Sequence, residues 1–224
     1  MSKSDADELS RVGYWDERYQ NAFNATDAEN GTSEFEWFRT FEQIRSFLSK
    51  HLPEPRLQPR LPHLDCGNSR LTAELHEIGY IDQLNVDFSA VVIANMSRRY
   101  DDLNVDWLQM DVRNMSSLPA ESIDVAIDKG TMDAMIYGSP WDPPSEVREG
   151  ITSTLENVHR LLKPGGTFLY ISYRQPHFIK LLLPGIFGNL EVVNLEDSGG
   201  GVLEYFGYVM KKPEVQYSPC DYIQ

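Results

Sequence analysis

Leu64-Asp65-Cys66-Gly67-Asn68-Ser69 joins a short apolar run, Leu61 to Leu64, to a periodic segment, Arg70-Leu71-Thr72-Ala73-Glu74-Leu75. Strand, tight turn and helix in that order is the arrangement in which backbone N–H groups at a helix N-terminus face a polar or anionic ligand. The turn is therefore the place to look for a nucleotide-like cofactor. Everything downstream of it can be read as a continuation of the same alternation.

Leu61–Asp65 is predicted as a first strand and residues 69–78 as its helix, followed by strand 81–87 and a helix over 89–100 with Ser89 as its N-cap. Residues 106–110 read as a third strand and 123–128 as a fourth. A long helix over 147–162 is closed by the stop signal Lys163-Pro164-Gly165-Gly166, and 167–172 is a fifth strand. Strands alternating with helices imply a mostly parallel sheet covered on both faces. After a helix near 177–183, two more strands, 190–195 and 202–210, flank Gly199-Gly200-Gly201 and predict an antiparallel hairpin. The expected fold is α/β and Rossmann-like, with seven strands, helices on both faces and an antiparallel C-terminal end.

In an open sheet of this kind a ligand sits beyond the carboxyl ends of the strands. The residues there are Asp65, Asp87, Asp111 and Asp128. Asp87 follows the glycine turn by about 20 residues, the spacing at which a carboxylate accepts from ribose hydroxyls. Asp111-Val112 pairs a carboxylate with an apolar side chain, suited to an adenine amino group and ring, and Asp128-Lys129-Gly130 adds a charged pair and a flexible residue. A strand-end Asp is often a helix cap, but four in succession is hard to explain as capping alone. The turn lacks the further glycines that let a pyrophosphate approach, and a pyrophosphate would be repelled by Asp65. Ribose and adenine without phosphate suit this lining, as in S-adenosylmethionine.

Upstream of the turn, residues 1–12 are polar and expected to be disordered. Tyr14-Trp15-Asp16-Glu17-Arg18-Tyr19 places Trp15 and Tyr19 on one face of a short helix. A polar loop over 24–32 leads to Ser33-Glu34-Phe35-Glu36-Trp37-Phe38, where Ser33 and Glu36 have capping-box spacing. A helical pattern continues through Phe41, Ile44, Phe47 and Leu48, and Pro53, Pro55, Pro59 and Pro62 predict an extended linker. The aromatic residues of this region are either core or a lid. The chain divides into residues 13–212 as a single domain, with 13–52 as an N-terminal helical lid, and a tail over 213–224.

The 224 residues suit one domain with a real core. A formal charge of −14 argues against nonspecific binding to nucleic acid, which requires clustered Lys and Arg, and favours a basic protein or a small molecule as partner. Cys66 and Cys220 form neither a disulfide framework nor a metal-ligand cluster. No signal peptide or membrane span is evident, so a cytoplasmic location without membrane association is expected.

Taken together, Tyr14-Trp15 with Arg18-Tyr19, Phe35-Glu36-Trp37-Phe38, Cys66-Gly67-Asn68-Ser69, Val86-Asp87-Phe88-Ser89, Met110-Asp111-Val112 and Asp128-Lys129-Gly130-Thr131-Met132-Asp133-Ala134 resemble the class I, seven-stranded S-adenosylmethionine-dependent methyltransferases. More narrowly they are similar to the branch containing the lysine methyltransferases of translation elongation factor 1A. The resemblance implies that Trp15, Tyr19 and Trp37 close over the cofactor, that Asp65 and Gly67 face its methionine part, Asp87 and Phe88 its ribose and adenine face, Asp111 and Val112 the adenine edge, and that Lys129 lines the methionine end. Asp128 and Asp133 are the candidates for orienting an acceptor amine, with Tyr173 behind them. The implied activity is protein-lysine methyl transfer, with transfer to a small metabolite or a catalytically weak binding protein as alternatives. The segments 137–144 and 173–178 are where acceptors would differ.

One residue departs from the pattern. Where the family has Gly-Cys-Gly-Asn-Ser, this chain has Asp65 in the first position. A side chain there takes space that a glycine leaves open. Its carboxylate either repels that of the cofactor or turns to the cofactor's ammonium group, a contact many relatives make two residues earlier, where this chain has His63.

Overall fold

The computed structural model describes residues 8–26, 35–183, 185–195 and 203–214. Seven strands form one sheet: β1 (Leu61–Leu64), β2 (Gln83–Asp87), β3 (Asp106–Gln109), β4 (Ile123–Lys129), β5 (Leu162–Ser172), β6 (Asn189–Asn194) and β7 (Phe206–Lys211). Their order is β3-β2-β1-β4-β5-β7-β6. β1 to β5 pair in parallel, while β7 lies antiparallel between β5 and β6. The chain winds outward from β1 to β3, then restarts at β4 on the other side. The crevice beyond the carboxyl ends of β1 and β4 is the switch point at which such sheets bind ligands.

Period-two alternation along β5 divides the core. Phe168 and Tyr170 face a cluster with Val147, Ile151, Leu155 and Val158 of the long helix α6 (Ser145–Leu161). Leu169 and Ile171 face the opposite cluster, with Phe41, Ile44, Phe47 and Leu48 of α2 (Phe41–His51) and Leu71 and Leu75 of α3 (Leu71–Glu77). Each such side chain stabilises the fold by roughly 1.5–3 kcal/mol relative to exposure. A third cluster packs Trp15 and Tyr19 of α1 (Val12–Thr26) on Val92 and Met96 of α4 (Ala90–Arg99), which fixes α1 beside the crevice. Ser89 caps α4, its Oγ accepting from the Val92 N–H at 3.3 Å, as its position predicts.

Several local expectations give way. Pro62, read from the sequence both as the end of the linker and as part of the strand over 61–65, belongs to the interior strand β1. It has no N–H to donate, and the β1–β4 ladder registers at His63 and Leu64. Ser33 lies outside the described residues, and α2 is instead entered through Thr40, whose N–H donates to Gln43 Oε1 at 3.0 Å. α1 runs well past Tyr19 into the predicted loop. Lys163 to Gly166 do not separate helix from strand: α6 passes directly into β5, and the glycines form an irregularity within it, Gly165 with φ 78°. The predicted helix near 177–183 reduces to α7 (Pro176–Ile179), and Gly199 to Gly201 lie outside the described residues.

Candidate functional site

Between β1 and α3 the backbone turns through Asp65, with φ 43°, and Gly67, with φ 55°. Both are in the left-handed region, which glycine adopts without penalty and Asp more readily than most residues. The Gly67 N–H donates to Asp87 Oδ2 at 3.0 Å, so the acid ending β2 holds the glycine turn. A Cβ at position 67 would lie 3.0 Å from Tyr19 Oη. The glycine thus permits α1 to close on the turn.

Three acids line the crevice in different states. Asp87 accepts from the N–H groups of Gly67 and Ser89, yet its burial pushes its pKa up to about 6. Two backbone bonds leave further lone pairs on its oxygens. Asp111 is the opposite case, held below the usual carboxylate range despite partial burial because Arg113 donates to it from Nε, Nη2 and the backbone. Asp65 Oδ1 is buried and makes no hydrogen bond. Burial first, and then the charges of Asp87, Asp128 and Asp111, hold its pKa well above the ordinary range. His63 does not supply an acidic contact. Gln83 donates its amide to the Thr72 and Tyr80 carbonyls, which leaves Gln83 Oε1 as acceptor for His63 Nε2–H at 2.7 Å, and burial lowers the imidazole pKa to about 4.

Aromatic residues cover the crevice from the N-terminal side. Trp15 lies 5.6 Å from both Tyr19 and Trp37, and its indole N–H donates to the Leu9 carbonyl at 2.7 Å. The Arg18 guanidinium sits over the rings of Phe35, Trp15 and Trp37 at 5.0, 5.7 and 5.8 Å, tying α1 to the segment before α2. Below them Lys129 Nζ donates to Glu36 Oε2 at 2.8 Å and to the Trp37 carbonyl at 3.0 Å. Glu36 also accepts from Ser69 Oγ and the Arg70 N–H at 2.7–3.0 Å, joining the lid, the glycine turn and β4 at one carboxylate.

These groups enclose a pocket of about 930 Å³ of empty space, part of it open to solvent. Trp15, Tyr19, Trp37, Asp65, Gly67, Asp87, Phe88, Asp111, Val112 and Lys129, the cofactor residues expected from the sequence, all line it. So do Asn68, Arg113, Thr131 and Met135, which were not anticipated. Asp128 and Asp133 are not brought to the pocket. Asp128 is wholly buried, and its two oxygens accept from the N–H groups of Thr131 and Met132 at the start of α5 (Thr131–Met135). Asp133 accepts from Tyr170 Oη at 2.6 Å and Ser172 Oγ at 2.8 Å, with Arg174 Nε 3.2 Å away. Burial raises their pKa values to about 8 and about 6. Tyr173 is two-fifths exposed and its ring meets that of Phe38 at 5.3 Å.

A family model described as a methyltransferase domain matches residues 63–183, from β1 through α7. The chain belongs to the methyltransferase domain family. This methyltransferase domain is 40% identical over 173 residues to EEF1A lysine methyltransferase 4 of Mus musculus, covering 75% of this chain and 63% of that one. It is 33% identical over 178 residues to the eEF1A lysine and N-terminal methyltransferase of Homo sapiens, covering 77% of this chain and 23% of that one. The chain thus spans under two thirds of these relatives. Among solved structures, a SAM-dependent methyltransferase from Methanosarcina mazei aligns with a TM-score of 0.55 at 16% identity, over 75% of this chain and 97% of that one. The N-methyltransferase NodS of Bradyrhizobium japonicum, in complex with S-adenosylhomocysteine, aligns with a TM-score of 0.55 at 16% identity, over 77% and 85%. These two establish the shared fold.

The methyltransferase cofactor, S-adenosylmethionine, fits the pocket on two counts. The unpartnered Asp65 Oδ1 matches a group rich in N–H donors, as an ammonium is. The glycine turn and Asp87 are free of side-chain cations that would oppose a positively charged ligand, since Lys129 is neutralised by Glu36 and Arg113 by Asp111.

Proposed function

We propose that this chain is an S-adenosylmethionine-dependent protein-lysine methyltransferase whose acceptor is translation elongation factor 1A, acting in the cytoplasm. The observation that carries the cofactor part is the pocket in which a buried, unpartnered Asp65 oxygen stands beside Asp87 under an aromatic cover. The acceptor part is supported by the relatives at 33–40% identity, which are named as eEF1A lysine methyltransferases. Among the described residues no helix is long and apolar enough to cross a membrane.

When bound, S-adenosylmethionine supplies a methyl group on a sulfonium, already a good leaving group, so the protein's task is alignment and exclusion of water. Asp65 Oδ1 accepts from the ammonium of the methionine part. The free lone pairs of Asp87 accept from ribose hydroxyls, and Phe88 and Val112 supply apolar contact at the base. Trp15, Tyr19 and Trp37 cover the site, with Arg18 fastening the cover. Asp128 and Asp133 act behind the pocket wall. Asp128 fixes the start of α5, and Asp133 binds that helix to β5, so that Thr131 and Met135 keep their places in the lining.

Incubating the purified chain with methyl-labelled S-adenosylmethionine and elongation factor 1A tests this reading. Label on lysine of the factor, located by mass spectrometry of its peptides, is expected. Label confined to small molecules, or none from a protein that binds S-adenosylhomocysteine, overturns it.

A further inference from the structure

Outside the pocket lining lies a group of aromatic rings that cofactor binding does not use. Trp141 is 67% exposed, an unusual state for so large an apolar side chain on a water-facing loop. It is nevertheless held in place: its ring packs at 4.8 Å against Phe178 and 5.7 Å from His177, and those two rings are 4.0 Å apart. The partners come from separate connections. Trp141 follows α5, whose Met135 lines the pocket, and His177 and Phe178 lie in α7, just past the carboxyl end of β5. Tyr173 opens the same β5 connection and meets Phe38, the neighbour of Trp37, so a second ring group leads from this segment back to the cofactor lid.

Charge decides what such a surface would hold. Glu146 and Glu149, on the first turns of α6, and Glu204, which accepts from Gln175, are exposed. The arginines are turned from solvent recognition. Arg174 donates inward to the carbonyls of Asp133 and Ile136, and Arg148 donates to Asp142 and the Pro143 carbonyl. Lys180 is an exposed cation on the same edge. Rings flanked by carboxylates attract the alkyl stem and ammonium of lysine, the first by apolar contact and the second by the ring quadrupole and the field. A neutral metabolite would gain little from this surface so far outside the pocket.

We propose that Trp141, His177 and Phe178, continued by Tyr173, form the docking surface for the basic, lysine-bearing segment of the protein acceptor. This rests on the protein-lysine methyltransferase reading and supplies its recognition step. The rings receive the residues flanking the target lysine. Trp141 is the anchor, because a rigid, exposed aromatic is the residue type on which interface energy concentrates.

The test compares wild type with Trp141→Ala, Trp141→Phe and Phe178→Ala, using purified elongation factor 1A in the presence of S-adenosylhomocysteine. Direct binding of the factor is expected to weaken by about tenfold or more in Trp141→Ala, with Trp141→Phe retaining most of it. In transfer assays the loss should fall on KM for the factor, and affinity for S-adenosylhomocysteine should match wild type, which separates docking from misfolding. Equal binding of the factor by wild type and Trp141→Ala overturns the proposal, as does no binding by wild type. A change from dimer to monomer in Trp141→Ala with acceptor affinity unchanged assigns the rings to self-association and likewise overturns it. Binding that depends on Trp141 without any transfer would leave the docking surface standing and refute the enzymatic reading.

Discussion

Replacing Asp65 separates two effects that one side chain combines. Its backbone sits at φ 43°, a conformation costing a residue with a Cβ on the order of 1–2 kcal/mol, and its buried Oδ1 has no partner. Asp65→Gly removes both costs, against roughly 0.5–1 kcal/mol of added chain freedom, so the variant should melt at or above the wild-type temperature. Binding should move the other way. A hydrogen bond between charged groups contributes about 1.5–3 kcal/mol, or roughly tenfold to a hundredfold in Kd for S-adenosylhomocysteine. Calorimetric titration alongside thermal melts reads both quantities. The pH dependence adds a third constraint. Burial and neighbouring carboxylates raise the Asp65 and Asp87 pKa values in the free protein, that of Asp87 to about 6, and an ammonium favours their ionised forms. Wild-type affinity should therefore increase as pH rises above the ordinary carboxylate range, with proton release on binding, and Asp65→Asn should remove the share of that rise that belongs to Asp65. Tighter binding by Asp65→Gly than by wild type would show that the carboxylate obstructs the cofactor, and would refute the reasoning.

Gly130 has φ 99°, and a Cβ there would lie 3.1 Å from the Phe38 ring, so Gly130→Ala should cost about 1–3 kcal/mol in urea unfolding; an unchanged midpoint contradicts this. Lys129 and Glu36 are 8% and 19% exposed, and Lys129→Met should destabilise by about 3 kcal/mol because the carboxylate stays behind. The double variant with Glu36→Gln should lose less than the two single losses combined; strict additivity would show that the pair is not coupled. The Asp128 pKa is raised to about 8, so its contribution to stability is full below its ordinary value near 4 and is lost as pH rises through about 8. Asp128→Asn should remove on the order of 2 kcal/mol of the stability difference between pH 5 and pH 8; parallel pH profiles for the two proteins would contradict the assignment.

Alternating apolar runs and turn signals were sufficient for the sheet, because each strand and the helix after it is a local pattern whose period is set by backbone geometry. Pro62 reads both as linker and as strand because proline argues against an interior strand while the apolar run argues for one, and only the neighbouring strand shows how the missing donor is accommodated. The pocket was legible wherever a side chain ends a strand, as with Asp87, Asp111 and Val112. Glu36 was not, since its partners Ser69, Arg70 and Lys129 are 33 to 93 residues away and leave no periodic trace. Asp128 shares the strand-end position of the other acids, but its oxygens are taken up by the start of α5, and Asp133, inside α5, gives its oxygens to Tyr170 and Ser172. Spacing alone does not report which way a carboxylate turns.

The position of β7 bears on how the protein is made. This strand follows every other described element in the chain, yet it lies inside the sheet, and β6 reaches β5 only through it. On the ribosome, β5 has no neighbour on that side until Phe206–Lys211 emerges, so a long apolar strand stays an open edge until those residues have been made. Stalling before residue 206 should yield nascent chains that aggregate or recruit chaperones, and stalling after the strand has cleared the exit tunnel should yield chains that do neither.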